Sequence, residues 1–139
     1  MSTDDPENET PTPGPTPFEQ LGGESAIRAL VDRFYDLMDL EPRYALLRSV
    51  HGSTLDDARD KLFWFLCGWL GGPNHFIDRF GHPRLRARHL PFSIGVEERN
   101  QWLACMFQSM DEQGIEPALR TRLEHSLFET ADWMRNRPS

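Results

Sequence analysis

The side chains of this 139-residue chain best suited to metal or acid–base chemistry are its five histidines, His51, His75, His82, His89 and His125. No HExxH pair, GxSxG nucleophile elbow, phosphate-cradling GxxxxGK or dinucleotide-type GxGxxG accompanies them. His75, His82 and His89 recur every seven residues, but Pro83 interrupts the run and the spacing matches no compact zinc cluster. His89 has a more telling setting. It closes a short arginine-rich stretch (Arg84, Arg86, Arg88) and is followed at once by Leu90-Pro91-Phe92. A neutral imidazole on a brief rigid turn, with apolar neighbours and guanidinium groups beside it, has what an axial ligand to haem iron needs. One ring nitrogen serves the metal, the other a carbonyl, and the cations serve the propionates. A structural histidine satisfied by its own helix fits the same pattern, so spacing alone leaves both readings open.

Helices must position such a group. From Glu24, the residues Ile27, Leu30, Val31, Phe34 and Met38 form the stripe of an amphipathic helix reaching about Leu40. Pro42 opens a shorter helical piece with Tyr44, Leu46 and Leu47, ending near His51-Gly52. The clearest helix is predicted from Leu55 to Leu70, with Thr54 and Asp57 at capping-box spacing and Gly71-Gly72-Pro73 as its stop. Between residues 74 and 92 only a short helix, about Pro83 to His89, fits among the prolines. A long helix follows from about Gly95 to Gln113, and Pro117 begins the last, on which Leu119, Leu123 and Leu127 repeat. No segment alternates like a strand, so the chain is predicted to be all-α, with unequal helices crossing around a site.

The first 17 residues hold five prolines, four acids, no base and no apolar residue besides Met1. They are predicted to be a disordered tail (1–17) ahead of a single domain (18–139). Without them the formal charge of −7 falls to −3. Net acidity and a single lysine, Lys61, argue against nucleic acid. The longest apolar run, Leu62 to Leu70, is about half of a membrane span. The N-terminus fits neither a secretory signal nor a transit peptide. Cys67 and Cys105 each sit in an apolar helical pattern with no CxxC. They read as buried reduced thiols in a cytoplasmic protein with no membrane partner.

Three strings carry a resemblance: Gly71-Gly72-Pro73; Phe80-Gly81-His82-Pro83-Arg84-Leu85-Arg86-Ala87-Arg88-His89-Leu90-Pro91-Phe92; and Glu98 through Met106 with Trp102 inside it. Together they resemble the truncated haemoglobins, specifically their second group. Leu21-Gly22-Gly23 and Val31-Asp32-Arg33-Phe34-Tyr35 are similar to the start of the same family's domain. The likeness covers about residues 18 to 136. It implies a truncated, two-over-two globin fold around a b-type haem (iron protoporphyrin IX), with His89 as the iron ligand. It also implies Trp102 and Tyr35 as indole and phenol donors of the distal pocket. Ala58 stands where other globins often keep a distal histidine, and Leu62, Phe65, Leu66 and Phe92 line the haem. Lys61 and Arg88 match positions used for the propionates, with Arg84 and Arg86 as possible helpers. His51 has two readings under the resemblance, a titratable pocket donor or an exposed loop residue.

The function so implied is reversible binding of O2 and related ligands (CO, NO, peroxide), with NO-dioxygenase or peroxidase-like oxidoreductase chemistry. The chain has no flavin or nicotinamide module, so an electron-donating reductase is the expected partner. The protein itself is expected to be a monomer or homodimer. Two rival readings are a non-enzymatic carrier, scavenger or sensor built on the same pocket, and a haem-free helical interaction module.

Overall fold

The computed structural model describes residues 14–138. Its helices are α1 (Pro17–Leu21), α2 (Glu24–Leu40), α3 (Ala45–Ser49, preceded by a 3-10 turn, Pro42–Tyr44), α4 (Asp56–Trp69), α5 (His75–Phe80), α6 (Leu85–His89), α7 (Val96–Gln113) and α8 (Pro117–Trp133). No strand occurs among the described residues, and no helix there is long and apolar enough to cross a membrane. The predicted tail falls mainly on residues 1–13, which lie outside the described ones.

The stripe on α2 makes it the centre of the fold. Ile27, Val31, Phe34 and Met38 are almost wholly buried, and α2 packs against both α4 and α7, while α8 packs on α7. Two helix pairs, α2 with α4 and α7 with α8, therefore enclose one core. Its other members include Leu66 and Cys67 of α4, Met106 and Met110 of α7, and Leu119, Leu123 and Leu127 of α8. Polar groups inside it are spent on backbone: Ser109 Oγ donates to the Leu30 carbonyl (2.8 Å) and Cys105 Sγ to that of Phe34 (3.2 Å). Gly114, in the left-handed region at φ 66°, ends α7 as the sequence predicts.

Three local features differ from the sequence reading. A capped helix, Pro17–Leu21, begins inside the predicted tail: Thr16 Oγ1 accepts from the Glu19 amide (3.1 Å) while Glu19 Oε1 accepts from the Thr16 amide (2.9 Å). Thr16 and Pro17, grouped with the tail by composition, thus open α1. The box anticipated at Thr54 and Asp57 does not form; Leu55 is the N-cap residue of α4, and Thr54 Oγ1 accepts from the Asp56 amide two residues on. A further helix, α5, fills the stretch after Pro73. Six residues are too few to display a helical stripe, so its one buried side chain, Phe76, gives no periodic signal.

Docking of α1 explains the paired glycines after α4. The Phe18 amide donates to the Leu70 carbonyl (2.9 Å). A Cβ on Gly72 would stand 2.5 Å from the Phe18 ring, and Gly71 adopts φ 97°.

Candidate functional site

His89 lies at the C-terminal end of α6 and is half-buried. Its Nδ1 lies 2.6 Å from the Leu85 carbonyl, one turn back, which fixes that nitrogen as the protonated one. The Nε2 lone pair is left for a metal. Among the described residues no three His, Cys, Asp or Glu side chains converge to hold a metal ion. Arg84, the N-cap residue of α6, has φ 45° and ψ 53°, the only non-glycine residue with positive φ among those described. Strain of this kind persists where surrounding contacts dictate the chain path.

Around His89 the chain exposes large apolar side chains. Phe80 is 40%, Leu90 57% and Phe92 46% exposed, and the Phe92 ring lies 6.4 Å from that of His89. Leu62 and Phe65 of α4 are half-buried against the core, whereas Leu66 is buried within it. Phe76 meets Phe65 edge-on at 6.3 Å and Phe80 at 4.8 Å. These rings carry cations at their outer edge: Lys61 Nζ sits 5.7 Å from the Phe80 centroid, Arg88 5.2 Å from Phe76, and Arg79 4.2 Å from Trp64. Lys61 also pairs with Asp57 (3.0 Å), and Arg88 Nε donates to the Pro83 carbonyl (2.6 Å). Arg86 turns the other way, with Nη1 donating to the carbonyls of Trp133 (2.6 Å) and Arg135 (2.9 Å). The Arg84 amide donates to His82 Nδ1 (3.1 Å), and its side chain is exposed.

Tyr35 and Trp102 flank Phe34, and His51 stands beside Tyr35. The Phe34 ring lies 4.9 Å from Tyr35 and 5.3 Å from Trp102, both edge-on, and the His51 ring lies 6.0 Å from Tyr35. Tyr35 is only 5% exposed, and burial pushes its phenol pKa well up, with Arg59, 5.8 Å from the ring, opposing. Neither the Tyr35 hydroxyl nor the Trp102 indole N–H makes a hydrogen bond to any described residue. His51 is half-buried; its Nδ1 bonds the Leu47 carbonyl (3.0 Å), and burial lowers its pKa against that bond, with Arg48 and His89 lowering it further. Ala58, also half-buried on α4, adds no polar group. A groove of about 400 Å³ reaches His51 from the surface between Met38 and Ser49. Two contributors escape the sequence reading. Phe34, read simply as part of a core stripe, is the ring that joins the donors, and Asn136 gives no sequence signal at all.

The residues fit haem. An imidazole with one nitrogen already bonded stands beside Phe92, the aromatic side chains of α4 and α5 carry cations, and Tyr35 and Trp102 keep polar hydrogens that bond no described residue. Comparison with known proteins agrees. The family described as Bacterial-like globin matches residues 16–136. The chain is 41% identical over 120 residues to a group 2 truncated haemoglobin of Bacillus subtilis, covering 86% of this chain and 88% of that one. Its structure resembles that of a cold-adapted truncated haemoglobin from the Antarctic marine bacterium Pseudoalteromonas haloplanktis (TM-score 0.86, 42% identity, 88% of this chain and 99% of the other). It also resembles a truncated oxygen-avid haemoglobin from Bacillus subtilis (TM-score 0.80, 40% identity, 88% and 100%). The helix pairs, the His89 imidazole and these matches together place the chain in the truncated haemoglobin family, in its second group.

Proposed function

We propose that the chain holds a b-type haem on His89, binds O2 and other diatomics reversibly, and turns over NO with bound O2 as a dioxygenase or peroxide in peroxidase-like chemistry. The observation that carries this reading is the cluster about Phe34. Tyr35 and Trp102 present an O–H and an N–H with no acceptor among the described residues, where His51 Nε2 also makes no bond. When bound, haem supplies reversible capture of a diatomic and one-electron exchange. The chain's residues do the rest. Tyr35 and Trp102 donate to the partial negative charge that O2 acquires, in a pocket walled by Phe34, so release is slow. The oxygen-avid character of the Bacillus subtilis relative is what such donors would give. Leu62, Phe65 and Phe92 pack the macrocycle, and Lys61 and Arg88, with Arg84 beside them, neutralise its carboxylates.

Haem is held without thioether bonds on this reading, because Cys67 and Cys105 are both buried and neither adjoins His89 in sequence. Two unpaired buried thiols also support a reducing, cytoplasmic setting. Converting NO and O2 to nitrate consumes one electron per turnover, so a separate reductase is the partner. The test combines O2 release with NO consumption under a reductase and NADH. Slow release with sustained NO removal supports the proposal; rapid release with no NO removal makes the protein a carrier or sensor instead.

A further inference from the structure

Helix α6 bears the iron-ligating imidazole yet has little to hold it. It is five residues long, contains no buried residue and starts from a strained N-cap. A helix of that length does not sustain itself in water. Besides Arg88, which lies over the Phe76 and Phe80 rings, the contacts that hold it come from the other end of the chain. Asn136 Nδ2 donates to the carbonyls of His89 (3.3 Å) and Phe92 (2.7 Å). Asn136 Oδ1 accepts from the Ile94 amide (2.9 Å), and the Asn136 amide donates back to the Ile94 carbonyl (2.9 Å). Arg86, on α6 itself, reaches the carbonyls of Trp133 and Arg135. The C-terminal segment is in turn tied to α7, because Asp132 Oδ1 accepts from Arg99 Nη1 (2.6 Å) and Arg135 Nε (2.7 Å).

We propose that Asn136 is a positioning residue for His89, clamping the α6–α7 connection from the C-terminal segment so that the imidazole presents Nε2 in one orientation. This rests on the assignment of His89 as the haem ligand. Only a carboxamide of this length supplies the pattern seen, one acceptor and two donors from one short side chain. Aspartate keeps the acceptor for Ile94 but sets a negative charge against two carbonyls. Alanine removes all three bonds.

The test uses the full-length haem-loaded chain as wild type, Asn136→Asp and Asn136→Ala. Three quantities are read: the iron–histidine stretching band of the ferrous form by resonance Raman, haem transfer to an acceptor apoprotein, and amide hydrogen exchange. In both variants we expect the band to shift or broaden and haem loss to quicken roughly tenfold, the worth of one or two neutral hydrogen bonds. Exchange should rise in residues 85–95 while α2 and α7 keep their protection. Unchanged exchange in residues 85–95 overturns the clamp. Faster exchange with an unmoved band shows a bracing role without positioning and overturns the proposal too. If His89→Ala retains the wild-type spectrum, the ligand assignment itself fails and the positioning role with it, whereas the exchange data still read the clamp separately.

Discussion

Replacing Tyr35 with phenylalanine tests the distal cluster by separating ligand release from stability. The ring is preserved, and with it the edge-on contacts to Phe34 (4.9 Å) and His51 (6.0 Å), so packing changes little. What is lost is one hydroxyl, on a residue only 5% exposed, held protonated by burial and donating to no described residue. Toward a partly anionic ligand that O–H is a charge-assisted donor worth about 1.5–3 kcal/mol. Its removal should therefore speed O2 release by roughly 10- to 150-fold. In the ligand-free protein the hydroxyl donates to no described residue but is not sealed from solvent, so its removal should change stability by less than about 1 kcal/mol. That bounds the change in Tm at roughly 3–6 °C for a domain of this size. Stopped-flow replacement of O2 by CO gives the first quantity and thermal melts of the deoxy form the second. A release rate within twofold of wild type would show that the hydroxyl does not reach the ligand. A Tm lowered beyond that bound would show that the hydroxyl is already hydrogen-bonded in the resting protein.

Three further outcomes are expected. Burial holds His51 below its ordinary value of 6.5, so the unfolded chain binds the extra proton first as pH falls. Stability should drop as pH is lowered from about 6.5 through the depressed folded value, and His51→Phe should flatten Tm between pH 7 and 5; an unchanged slope refutes the assignment. The Arg33- and backbone-bonded Glu112 and Glu116, whose ordinary value is 4.5, lose their contribution only at lower pH. Deleting residues 1–13 should leave Tm unchanged, whereas deleting 1–17 removes the Thr16 cap and costs about 1 kcal/mol; equal melting of the two truncations would contradict this. Burial pushes the Cys67 thiol up to about 11 and the Cys105 thiol up to about 12, so neither should react with a disulfide reagent at neutral pH until denaturant is added. Rapid titration of one thiol in the native protein would count against that burial.

How much the sequence discloses depends on the range of the interaction. The four long helices are readable because a stripe such as Ile27, Val31, Phe34 and Met38 encodes its own burial, and Gly114 and Pro117 mark where helices stop and start. His89 is readable because its helix end, its apolar successors and its arginines are consecutive in the chain. The Thr16 capping box was equally local, but the prolines around it disguised it as tail. What stayed hidden depends on distant partners. Nothing near Arg86 marks it as a ligand of C-terminal carbonyls rather than of a propionate, since Trp133 and Arg135 are brought to it only by the path of α8. Asn136 bonds groups more than 40 residues away, and a single asparagine among polar neighbours carries no period or motif. Helix α5 escaped because its stability derives from Phe76 docking on Phe65 rather than from a stripe of its own.

The central claim, that His89 holds a haem with an open position opposite, is met most directly by absorption spectra of the wild-type chain and His89→Ala. Ferric, deoxy-ferrous and CO forms should be recorded for both. The account predicts a Soret band in the wild type that shifts on adding CO to the reduced protein, and loss of most bound haem in His89→Ala. A wild-type chain with no Soret band after haem addition, or a His89→Ala variant with full haem content and an unchanged spectrum, would contradict it.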